Sequence, residues 1–159
     1  MADVTIARVL HVFGVVLWIG GVGFVTTILL PAVRRFKQPA ERAEFFDAIE
    51  RRFASQARFT TALVGLSGLY MLVRFDLWDR FGKLAYWWMH AMIAVWLIFT
   101  AMLFIVEPIF LHHPRSDRST EQAEKTFGRQ QVLHWMLLIL SLITIIGAVA
   151  GSHGLLFFE

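Results

Sequence analysis

The residues with chemistry to offer are histidines, and two of them stand where an imidazole is expensive. His11 lies inside an apolar run, Val4 to Leu30, that carries no charge after Arg8 and is closed by Pro31. His90 lies near the start of a second apolar run, Tyr86 to Ile109. At ~1.5 Å rise per residue, either run is long enough for the ~30 Å hydrocarbon core of a bilayer. A histidine at that depth needs coordination or a hydrogen bond, so each is a functional-site candidate. His11 shares one helix face with Gly14, Val15 and Trp18, because side chains three, four and seven positions apart on a helix point the same way.

Depth decides which histidines can meet. His11 sits ~9 Å and His90 ~10 Å outward of the middle of their runs, counted at the helical rise. Two level histidines on different helices suit the axial ligation of one b-type haem, since haem iron takes neutral imidazole nitrogen and a bundle core is a common place to hold it. Gly14 would give the flat macrocycle room, Trp18 would pack beside it, and its propionates would point outward toward Arg8, Arg74 or Lys83. A single membrane histidine can equally serve as glue between helices. His134 and His153, in the last apolar run, are weaker ligand candidates, and His112 and His113 read as loop residues. Glu107 and His134 fall at a common depth on the inner side and form a candidate proton-exchange pair for a quinone site. Copper is the rival metal, because imidazole suits it.

The elements that must position these groups follow from composition. Of 159 residues, 57% are hydrophobic and 17% charged, too apolar a balance for a soluble domain of this size. The net charge of +3 needs no nucleic acid to explain it, because loop charges that orient membrane helices give the same bias. With no cysteine, the chain has no thiolate metal site, disulfide, thiol catalysis or Cys-x-x-Cys-His haem attachment. The first apolar run is far longer than the ~7–15 residues of a signal-peptide core, so it reads as a retained helix.

The expected fold is all-α, a single transmembrane domain over 1–159 built as a four-helix up-down bundle. Its spans fall at about 4–30, 59–73, 86–110 and 132–153, with an interfacial helix at about 40–56 whose stripe is Phe46, Ile49 and Phe53. Pro108 should kink the third span, and Leu111 to Gln131 reads as an exposed loop. The first and third loops together hold eleven Lys and Arg against four on the opposite side (Arg8, Arg74, Arg80 and Lys83). The positive-inside rule therefore puts both termini on the outer side, the periplasm for a bacterial inner membrane protein. A faint internal repeat aligns His11, Trp18 and Pro31 with His90, Trp96 and Pro108.

Several stretches resemble the CopD-like and HemJ-like integral membrane proteins. They are Leu10-His11 with Leu17-Trp18-Ile19-Gly20-Gly21, then Glu50-Arg51-Arg52-Phe53, Gly65-Leu66-Ser67-Gly68-Leu69-Tyr70 and Trp88-Met89-His90. The likeness covers roughly Ile6 to Ala101, and its motifs are short. It implies a haem or metal role for His11 and His90: HemJ-like proteins are protoporphyrinogen oxidases that bind haem b, and CopD-like proteins are linked to copper handling. Met92 stands where the HemJ-like pattern has a lysine, and a later histidine of that pattern falls near Leu103. Both departures count against porphyrinogen oxidation.

The expectation is a membrane cytochrome b that passes single electrons, with a quinone or a membrane or periplasmic redox protein as partner. The alternatives are a copper-binding or copper-transport protein, a HemJ-like oxidase, and an accessory subunit whose histidines are structural. A homo-oligomer or a place in a larger complex is compatible with all four.

Overall fold

Helix formers run through this chain with few breakers, and the computed structural model follows them. It describes residues 2–108, 120–155 and 158, so His112 and His113 lie outside the described residues. The described residues are helical apart from short connections, with no strand among them, and are arranged as four long helices. Helix α1 is Ala2–Phe36, with a π turn at Val25–Leu29. Helix α2 is Pro39–Arg74. Two 3-10 turns, Trp78–Gly82 and Leu84–Tyr86, lead into α3, Trp87–Ala101, which a second π turn, Met102–Val106, extends to Glu107 and Pro108. Helix α4 is Thr120–Ser152.

Three of these are long and apolar enough to cross a membrane: Ala2–Phe36, Leu84–Val106 and Phe127–Ser152. The charged first half of α2 keeps that helix below the same standard.

Three boundaries differ from the sequence reading. The interfacial helix at 40–56 and the span at 59–73 are one continuous helix, Pro39–Arg74. Nothing between them breaks a helix, and Ala54 and Ala57 are buried in the packing, so the ladder runs through. The expected loop before the last span contains helix from Thr120 onward, because its polar residues are mostly good helix formers and Phe127 anchors them. Helix α1 also continues past Pro31 to Phe36.

Both prolines follow a π turn at the same spacing. The Leu30 N–H bonds to the Val25 carbonyl and the Glu107 N–H to the Met102 carbonyl, each five residues back. Pro31 and Pro108 come next. A proline already removes one donor from the ladder, so shifting to the wider π register beside it loses little more. The matched π turns extend the faint repeat seen in the sequence.

Helices α1 and α2 pack antiparallel at close range. A Cβ on Gly14 would lie 2.8 Å from Val64 and one on Gly21 would run into the Phe53 ring, while Gly68 lies against His11. The main core unites all four helices through Trp18, Ile19, Val22, Ala57, Val64, Val95, Phe99, Leu137 and Leu138. Trp18 meets Phe99 edge-on, with ring centroids 4.9 Å apart. A second cluster, Val25, Leu30, Val33 and Phe127, continues the core toward the charged end, and Phe53 packs against both. Phe127→Ala should therefore loosen the first turns of α4 and cost about 3 kcal/mol, as large-to-small changes in packed cores do. A fall in the midpoint of thermal unfolding in detergent checks it; an unchanged midpoint would mean the second cluster holds nothing together.

The opposite end is tied by polar contacts. Tyr70 donates to Asp3 at 2.8 Å and Arg74 pairs with the same carboxylate at 3.3 Å. In the α2–α3 connection, the Lys83 hydrogen bond holds the Asp79 carboxyl below the usual carboxylate range.

Candidate functional site

His11 is half-buried on the α1 face that meets α2. Its Nδ1 lies 3.0 Å from the Val64 carbonyl and 3.2 Å from the Ser67 hydroxyl. The Val64 oxygen can only accept. Ser67 spends its own proton on the Leu63 carbonyl at 2.6 Å, so toward His11 it also accepts. Nδ1 must therefore carry the proton, and the neutral ring keeps its lone pair on Nε2. Gly68 makes room for this, since its missing Cβ would sit 3.1 Å from His11 Cε1. A ligating histidine is commonly held in this way, with its second nitrogen donating to a carbonyl.

His90 is exposed and meets the Phe81 ring edge-on, 5.2 Å between centroids. Nine residues on a helix are two and a half turns, so His90 points opposite to Phe99, the residue that reaches Trp18 in the core. The structure does not bring His11 and His90 together. Gly14 is filled by Val64 and Thr60, so its smallness serves helix approach. Trp18 is 3% exposed within the main core. Arg8 is exposed with Val9, Val12, Phe13 and Val16 along a shallow outer groove of α1.

Near the end of α3, Glu107 pairs with Arg58 at 3.2 Å. Arg58 also donates through Nε to the Leu103 carbonyl at 3.0 Å. In the π register that carbonyl would receive the N–H of residue 108, which is proline and has none. Arg58 takes the missing donor's place and neutralises Glu107 with the same guanidinium. His134 is half-buried, with Nδ1 2.9 Å from the Gln130 carbonyl, and His153 is exposed, with Nδ1 2.8 Å from the Val149 carbonyl. Among the described residues, no group of three or more His, Asp or Glu could hold a metal ion. Haem needs no such group, because the macrocycle supplies four of its ligands.

Sequence reasoning missed Arg58, which it counted only as a loop charge. The signal was present: an arginine and a glutamate flank two apolar segments, and a proline follows the glutamate directly. Compared with known proteins, the chain matches no family model, no curated protein and no solved structure.

Proposed function

We propose that the chain is a four-span protein of the bacterial inner membrane with both termini on the outer side, and that it is a b-type cytochrome carrying single electrons with His11 as an axial ligand of its haem. Three apolar helices of spanning length support the membrane part, and the eleven-to-four asymmetry of Lys and Arg supports the orientation. The observation that carries the haem part is the fixed tautomer of His11. Val64 and Ser67 take the Nδ1 proton, and Nε2 is left to bind iron. A bound haem would supply a one-electron iron couple. The chain's own contribution is to hold the imidazole in orientation and tautomer.

His90 does not complete a pair with His11 in this packing, and recruiting it would require turning α3 by about half a turn. Glu107, paired with Arg58, is a neutralised carboxylate rather than a free proton acceptor, so the reading places no quinone site on it.

The same contacts favour a second reading, in which His11 is a clamp between α1 and α2 in an accessory subunit. Copper binding of the CopD-like kind ranks below both, since no cluster of three or more His, Asp or Glu gathers around His11 among the described residues.

A reduced-minus-oxidised visible spectrum of the detergent-purified protein, expressed with haem available, separates these readings. The haem reading expects sharp α and Soret bands that vanish in His11→Ala and persist in His90→Ala. Loss in both variants would restore the bis-histidine pair. A flat spectrum from folded wild type would sink the haem reading, leaving bound copper or a purely structural His11 to be told apart by metal analysis.

A further inference from the structure

The α2–α3 seam contains two buried hydroxyls, on Thr61 and Thr100, that break the habit of the other buried serines and threonines in the described residues. Thr26, Thr60, Ser67, Ser141 and Thr144 all donate to a carbonyl three or four residues back on their own helix. That local bond is how such residues normally satisfy themselves within a helix. Thr61 is fully buried, and its hydroxyl has no partner among the described residues; the buried hydroxyl of Thr100 has none either. For Thr61 the carbonyl four residues back is that of Ala57, which Thr60 already uses.

The register of the seam puts these two side by side. Gly65 on α2 receives the Trp96 ring of α3, whose Nε1 donates to the Thr61 carbonyl at 2.9 Å. About two turns further in, Arg58 on α2 bonds the Leu103 carbonyl of α3. Between those two contacts, moving one step along each antiparallel helix, Thr61 comes opposite Thr100. An unpaired buried hydroxyl costs roughly 1–3 kcal/mol, and two facing each other double the demand. Water is the guest that fits: it is neutral, both donates and accepts, and a site lined by polar groups holds it well.

We propose that the α2–α3 seam binds water between Thr61 and Thr100 and that this water enters from the Glu107 end. The outer end is closed by Trp96 seated on Gly65. The inner end is polar and open, with the Arg58 and Glu107 side chains 33% and 20% exposed. Glu107, Arg58, the two threonines and the Trp96 N–H then form one polar strip from the charged end of the bundle into its main core. The proposal is independent of the haem reading.

Water-edited solid-state NMR of the full chain in neutral phospholipid vesicles tests it directly. Magnetisation should pass from water to the Thr61 and Thr100 side chains and to neither Thr60 nor Ser141, which bond their own helices. Thr61→Ser should keep the transfer. Thr61→Val and Thr100→Val, which preserve shape, should each lower the melting temperature, because each removes one anchor of a bound water. Absence of transfer in the wild type would overturn the proposal even if a variant fails to fold. A valine variant that melts higher would overturn it too, since that is the result for a dry, unpaired hydroxyl.

Discussion

Replacing Arg58 by Met should be the most destabilising single charge removal in the described structure. The change strips the Glu107 carboxylate of its partner and the Leu103 carbonyl of its donor in one step. Breaking a fully buried ion pair costs roughly 3–5 kcal/mol, and because this pair is part exposed we expect about 2–3 kcal/mol. Arg58→Lys should be milder, about 1 kcal/mol. A lysine ammonium can still neutralise Glu107, but it lacks the planar fork that reaches carbonyl and carboxylate together. The role assigned to Pro108 makes the test sharper. Pro108→Ala returns an N–H that can serve the Leu103 carbonyl in the π register, so Arg58→Lys should cost less in that background than in the wild type. Thermal or denaturant unfolding in detergent, run as a double-mutant cycle, reads the coupling. Strict additivity would mean that Arg58 does not stand in for the missing N–H.

How much of this was legible beforehand depends on the range of the interaction. The all-helical class and the three most apolar stretches follow from local composition, and the helices long and apolar enough to cross a membrane, Ala2–Phe36, Leu84–Val106 and Phe127–Ser152, overlap those stretches. The disturbance expected at Pro108 takes the form of the π turn at Met102–Val106. The continuity of α2 was not legible. A change from charged to apolar residues near Phe59 looks like an element boundary, yet the backbone ladder is indifferent to such a change when no breaker intervenes. The start of α4 at Thr120 was hidden for the same reason. In the candidate site, sequence depth placed His11 and His90 level, but depth fixes only one coordinate. The azimuth of His90 is set by which α3 residues pack inward, and the bulk of Trp88, Val95 and Phe99 takes that face. Nor could the sequence reveal that Ser67 would accept from His11, because the two are 56 positions apart and meet only through the antiparallel packing of α1 on α2.

The same long-range logic governs Gly151→Ala, for which we expect a loss of about 2–3 kcal/mol, at the upper end of what overpacking costs. Trp87 and Trp88 of α3 lie against Gly147 and Gly151 of α4, one helical turn apart, an arrangement in which small residues let helices approach closely. A methyl on Gly151 would fall on the pyrrole side of the Trp88 indole, at its Nε1, Cδ1 and Cε2 atoms. Trp88 is only 8% exposed, so the ring has little freedom to swing away. A phenylalanine ring hangs from the same Cβ and fills much the same space, so only removal of the ring relieves the clash. The Trp88 N–H has no hydrogen-bond partner among the described residues, so Trp88→Ala forfeits packing but no hydrogen bond. Trp88→Ala alone should cost about 3–5 kcal/mol. Gly151→Ala should then add much less in that background than in the wild type, because the ring its methyl would meet is gone, a coupling that general damage to α4 could not produce. Unfolding midpoints of the four proteins in one detergent decide it. If Gly151→Ala costs as much in the Trp88→Ala background as beside the tryptophan, the contact between indole and glycine is not what sets the spacing of α3 and α4.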